Sequence, residues 1–121
     1  MKRLAAVLAV ALLLSSCAPA AAYFRDLAER ADGATLSYLT DGLGFDSGPT
    51  AALGVIVIAI GDNLVLVEAP EGSQCAVEAD LLDCRLGDVE GRVAILLTGE
   101  DVVASATYRR DGPKVYQVFA R

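Results

Sequence analysis

The chain of 121 residues contains no histidine and no tryptophan, and only three cysteines. The missing imidazole removes the commonest general acid–base group and leaves such work to carboxylates, Lys114 or tyrosines. Ser37, Ser47, Ser73 and Ser105 have no histidine partner, and no nucleophile-elbow motif surrounds them. A zinc site would have no nitrogen ligand, and the dense acidic spacing of a calcium loop is absent around Asp80 and Asp83. The run Asp41-Gly42-Leu43-Gly44-Phe45-Asp46 has glycines but no phosphate-loop lysine, so it reads as a plain loop. No catalytic residue, metal or cofactor is therefore expected, and the chain is not expected to be an enzyme.

Basic residues are scarce as well: 10 against 16 acids, for a formal net charge of −6. Such a surface has too few cations to neutralise a row of phosphates, which excludes nucleic acid as a partner. The imbalance is uneven along the chain. From Asp62 to Asp101 ten acids face only Arg85 and Arg92, whereas Arg109, Arg110, Lys114 and Arg121 later face only Asp111.

The N-terminus is where the sequence says most. Lys2-Arg3 precedes an apolar run over residues 4–14, and Leu14-Ser15-Ser16-Cys17 closes it with small residues. The run is about half the roughly 20 apolar residues that a membrane-spanning helix needs. Positive start, short apolar centre and small-residue end make a secretory signal. With a cysteine just after the small residues, it resembles the lipobox of bacterial lipoproteins. That resemblance implies that the Cys17 thiol takes up a diacylglycerol, that residues 1–16 are cut away, and that acylated Cys17 becomes the N-terminus. Acyl chains contribute about 0.8 kcal/mol per buried methylene, so two or more, palmitate among them, hold a domain firmly to a membrane. Ala18 follows the cysteine, which by resemblance to enteric lipoproteins favours the outer membrane where the cell has one, and otherwise the outer face of the cell membrane. With Cys17 consumed by lipid, Cys75 and Cys84 are left as a pair in an oxidising compartment. A disulfide between them should stabilise the fold by about 2.5–3 kcal/mol on the chain-entropy account.

Residues 17–33 read as a lipidated tether and a short helix. Phe24, Leu27, Ala28 and Ala31 share one helical face, and Gly33 is placed to stop it. From residue 34 to residue 121 the pattern is that of strands. Candidates are residues 34–39, 51–60, 64–68, 74–78, 81–86, 92–98, 102–110 and 114–120. The turn signals between them include Gly61-Asp62-Asn63, Pro70-Glu71-Gly72, Ala79-Asp80, Gly99-Glu100-Asp101 and Asp111-Gly112-Pro113. Residues 40–49 read as a turn-rich stretch. The β-branched run Val55-Ile56-Val57-Ile58 predicts a central strand buried on both faces. Seven or eight short strands at this turn density mean an all-β antiparallel sandwich. Pro70-Glu71-Gly72, Cys75, the run Leu82-Asp83-Cys84-Arg85-Leu86-Gly87 and Gly91 resemble the C-terminal half of immunoglobulin-like bacterial surface repeats. The resemblance covers about a third of the mature chain and implies an immunoglobulin-like sandwich, a fold that does not itself settle activity.

The patch most suited to binding is the last hairpin. Tyr108 and Tyr116 flank its turn, with Arg109, Arg110 and Lys114 beside them. They are either a ligand platform or ordinary cross-strand partners. The sequence points first to an extracytoplasmic, lipid-anchored structural or protein-interaction module, an accessory subunit of some envelope protein. A glycan- or peptidoglycan-binding module and a small periplasmic hydrolase inhibitor are the alternatives.

Overall fold

The computed structural model describes residues 33–121, so Cys17, the expected signal sequence and the expected helix lie outside the described residues. The domain is all-β and antiparallel. Its strands are β1 (Thr35–Leu39), β2 (Gly42–Asp46), β3 (Ala52–Glu68), β4 (Gln74–Glu78), β5 (Leu81–Val89), β6 (Arg92–Arg109) and β7 (Val115–Phe119). They run in the order β1-β2-β6-β3-β5-β4, with β7 added on β6.

Two strands are far longer than the sequence suggests, and they organise the rest. The expected turns at Gly61-Asp62-Asn63 and Gly99-Glu100-Asp101 are not turns. Each is an irregularity inside a continuous strand, β3 of 17 residues and β6 of 18. Asp62 pairs with Glu100, so the two irregularities face each other, and Asn63 and Asp101 take positive φ of 54° and 52°. Bulges of this kind bend a strand and raise its twist without ending it. Gly61 and Gly99 permit the crossing. A Cβ on Gly61 would lie 3.0 Å from the Glu100 carbonyl oxygen, and one on Gly99 2.6 Å from Leu64 Cδ2.

Because both long strands bend at the same level, one sheet folds into two layers. The first half of β3 pairs with β5 and with the second half of β6, and β4 and β7 complete that layer. The second half of β3 pairs with the first half of β6, which also carries β2 and β1. One side of the sandwich is closed where β1 meets residues 120 and 121. Leu36 forms a parallel bridge with Ala120, Tyr38 donates its amide to the Arg121 carbonyl (3.0 Å), and Arg121 donates to Leu36 (3.1 Å).

β2 is a second correction, because residues 42–46 lie inside the stretch read as turns. Glycine at 42 and 44 hides the alternation, yet Leu43 and Phe45, each following one of them, are each 1% exposed and point into the core. The core also takes Leu36, Val55, Val57, Leu82, Ile95 and Tyr108, each worth about 1.5–3 kcal/mol of burial. The expectation that β3 is buried on both faces fails on its outer side. Val55, Val57 and Ala59 are buried, but Ile58 is 38% exposed because no second layer covers that face.

Candidate functional site

The β6–β7 hairpin brings the two tyrosines together as direct cross-strand partners. Their rings are stacked, with centroids 5.7 Å apart and planes 23° apart, and the Phe45 edge meets Tyr108 at 5.8 Å. Tyr108 is only 1% exposed, so its ring is part of the core and offers no stacking platform. Arg110 sits over that ring at 5.1 Å and donates from Nη1 to the Thr50 carbonyl and from Nη2 to the Ser47 carbonyl, each at 2.6 Å. It is a clamp that fastens residues 47–50 to the end of β6. Arg109 and Lys114 are exposed and Tyr116 is half-buried. The cleft among Arg110, Asp111, Gly112, Pro113, Lys114 and Tyr116 is about 220 Å³. A ligand pocket usually measures about 300–1,000 Å³, so this one is small for a sugar ring.

The clamp belongs to a polar knot that sequence reasoning missed. Ser47 is fully buried, donates its amide to Gly91 (2.9 Å) and accepts the Gly91 amide on Oγ (2.9 Å). Next to it, Asp46 accepts from the Gly48 amide (2.9 Å) and from Arg92 Nε (3.0 Å). These bonds, first the Gly48 amide and then Arg92, hold the Asp46 carboxyl below its ordinary value of 3.8. Unfolding raises that pKa, so it takes up a proton and stability falls as the pH drops. Asp46→Asn is expected to be less stable than wild type at pH 7. The difference should shrink as the pH falls below 3.8 through the folded-state pKa, as read by urea unfolding at pH 7 and pH 3.

The two thiols lie where expected. Cys75 and Cys84 are directly opposed on β4 and β5 and are joined by a disulfide, with Cys84 buried. Ala79 and Asp80 close this hairpin with φ of 51° and 63°, the double positive φ of a two-residue type I′ turn. Asp80 sits in that turn, and Asp83 lies 3.9 Å from Arg85. Among the described residues no three metal-ligating side chains converge.

What the surface presents instead is sheet. Val65 and Val67 are 56% and 63% exposed beyond the bend of β3, and Val103 is 64% exposed on the other layer. A cleft of about 500 Å³ opens beside the β1–β2 turn, with Tyr38, Leu39 and Val102 in its wall. The strand β4 has β5 on one side and no strand on the other among the described residues. Fold and surface together define a small antiparallel β domain with exposed valines and one open sheet edge among the described residues. No family model, no curated protein and no solved structure matches the chain.

Proposed function

We propose that the chain is a lipid-anchored envelope protein whose β domain acts as a structural or protein-interaction module, an accessory subunit on the extracytoplasmic side of a membrane. The lipobox-like Leu14-Ser15-Ser16-Cys17 supports the anchor. The observation that supports the module is a surface of exposed valines and an open sheet edge at β4, while Tyr108 and Arg110 of the last hairpin are engaged internally. The burial of Tyr108 weighs against a glycan platform. The two-residue turns at Thr40-Asp41 and Ala79-Asp80 give an inhibitor no long loop to insert there. The partial likeness to surface repeats fits a spacer or docking role.

The anchor and the partner are tested separately. Cells fed an alkyne-bearing palmitate should label the wild-type chain and retain it in the membrane fraction. Cys17→Ala should lose both label and retention, and an unlabelled wild-type chain would sink the anchor. In-cell crosslinking followed by purification should recover one dominant envelope protein. Recovery of cell-wall fragments alone would favour the glycan reading.

A further inference from the structure

The open side of the sandwich lies between the bent end of β3 and the strand β4, which the short connection over residues 69–73 joins. Free edges invite pairing with another strand, and proteins normally blunt them with bulges, lysine or proline. The β3 edge is blunted: its register against β6 shifts between Asp62 and Val65 and again between Leu66 and Glu68. The outer edge of β1 is engaged by Arg121 through the bonds at Tyr38 and Leu36. The strand β7 is tied to β1 at its end, where Ala120 bridges Leu36. Only β4 has neither a register shift nor a bond to another edge strand among the described residues. Its five residues pair with β5 in unbroken register, and it contains neither lysine nor proline.

The sequence of β4 is self-complementary. In an antiparallel pairing of two copies centred on Ala76, Gln74 faces Glu78 of the second copy, Cys75 faces its Val77, and Ala76 faces Ala76. On the outer side a carboxylate then meets an amide donor instead of another carboxylate. Arg85, the cross-strand neighbour of Gln74 on β5, lies one strand further along the same row. Its exposed guanidinium is within side-chain reach of that Glu78 and supplies the opposite charge. On the inner side the row Leu82-Val77 continues into Cys75-Cys84 of the second copy, so half-buried apolar groups become covered. The acids that would repel, Asp83 and its symmetry mate, are separated by two alanine-bearing strands.

We infer that β4 is a self-association edge through which two copies of this chain pair antiparallel, joining their first layers into one continuous sheet. This deepens the interaction-module reading by naming a partner for it, a second copy. Edge pairing over five residues buries less surface than a standard interface, so the contact is weak in dilute solution and strengthened where anchoring confines the chains.

The test is a disulfide trap in the purified full-length chain in detergent micelles. Ala76→Cys places two thiols face to face across the two-fold axis and should give a dimer on non-reducing gels. Peptide mapping should show a 76–76 link with Cys75–Cys84 intact. Glu78→Cys, whose thiol faces Gln74, should give little dimer. In the Ala76→Cys background, Glu78→Lys should slow trapping by roughly tenfold, since it sets like charges against Arg85 in both symmetric halves. Adding Arg85→Glu should restore the rate. No 76–76 link, an equal yield from Glu78→Cys, or no response to the charge reversal would each overturn the inference. The failures remain distinguishable. A foreign envelope partner without a 76–76 link leaves the module reading intact, whereas a trapped dimer in a chain without palmitate leaves the edge intact and removes the envelope.

Discussion

Tyr108→Ala is expected to lower the free energy of unfolding by about 3–5 kcal/mol, the range for truncating a large buried aromatic. Three contacts disappear together: the Tyr116 stack, the Phe45 edge contact and the Arg110 guanidinium above the ring. Since Phe45 is on β2 and Tyr116 on β7, the loss falls on both layers and loosens their packing against each other. A domain of this size has about 5–15 kcal/mol in total, so the variant should be close to its limit at 37 °C. Tyr108→Phe keeps the ring in place and should lose far less. Equilibrium urea unfolding of the three proteins, followed by circular dichroism, reads the difference. Near-equal midpoints for wild type and Tyr108→Ala would show that the ring cluster is not a keystone of the core.

Gly42→Ala should be as damaging, for the opposite reason. A Cβ at position 42 would run into the carbonyl oxygen of Ile95 and come within 3.0 Å of Leu96 Cα. Those are backbone atoms of the neighbouring strand, so no side-chain rotation relieves the clash. The β2–β6 pairing must open, and with it the bond from the Leu97 amide to the Asp41 carbonyl (3.0 Å) that fastens the β1–β2 turn. Overpacking usually costs about 1–3 kcal/mol, and a clash with a fixed backbone belongs at or above the top of that range. Gly44→Ala, two residues on, meets only the flexible tip of Leu39 at 3.3 Å and should cost about 1 kcal/mol or less. Thermal melts of the two variants side by side test the contrast, and equal losses would refute it.

The alternation of apolar and polar residues made most of this fold legible. The β4–β5 hairpin was readable at its turn, because Ala79-Asp80 leaves a two-residue gap between strands and the cysteines face each other across it, although β5 runs on to Val89, past the expected end at residue 86. Residues 61–63 and 99–101 misled because glycine beside Asp or Asn is the local signal both of a turn and of a bulge. Only the tertiary pairing of Asp62 with Glu100 decides between them. In β2 glycine stood where an outward polar residue would have marked the strand. The candidate site was less legible still. The cross-strand meeting of Tyr108 and Tyr116 followed from the hairpin, but burial of one of them depends on Phe45 from another strand. The link from Arg110 to Ser47 spans 63 positions and leaves no local trace.

The closure of Leu36 on Ala120 bears on when this chain can fold. Strand β2 needs residues 92–96 as its neighbour, and the other edge of β1 takes residues 120 and 121. Synthesis from the N-terminus therefore produces the β1–β2 hairpin well before the strand that receives it. Contacts of such wide sequence separation also make for slow folding. The β3, β5 and β4 strands can pair as soon as residues 52–89 are available, whereas β1 and β2 find their places in the sheet only once residues 92–96 and 120–121 have followed.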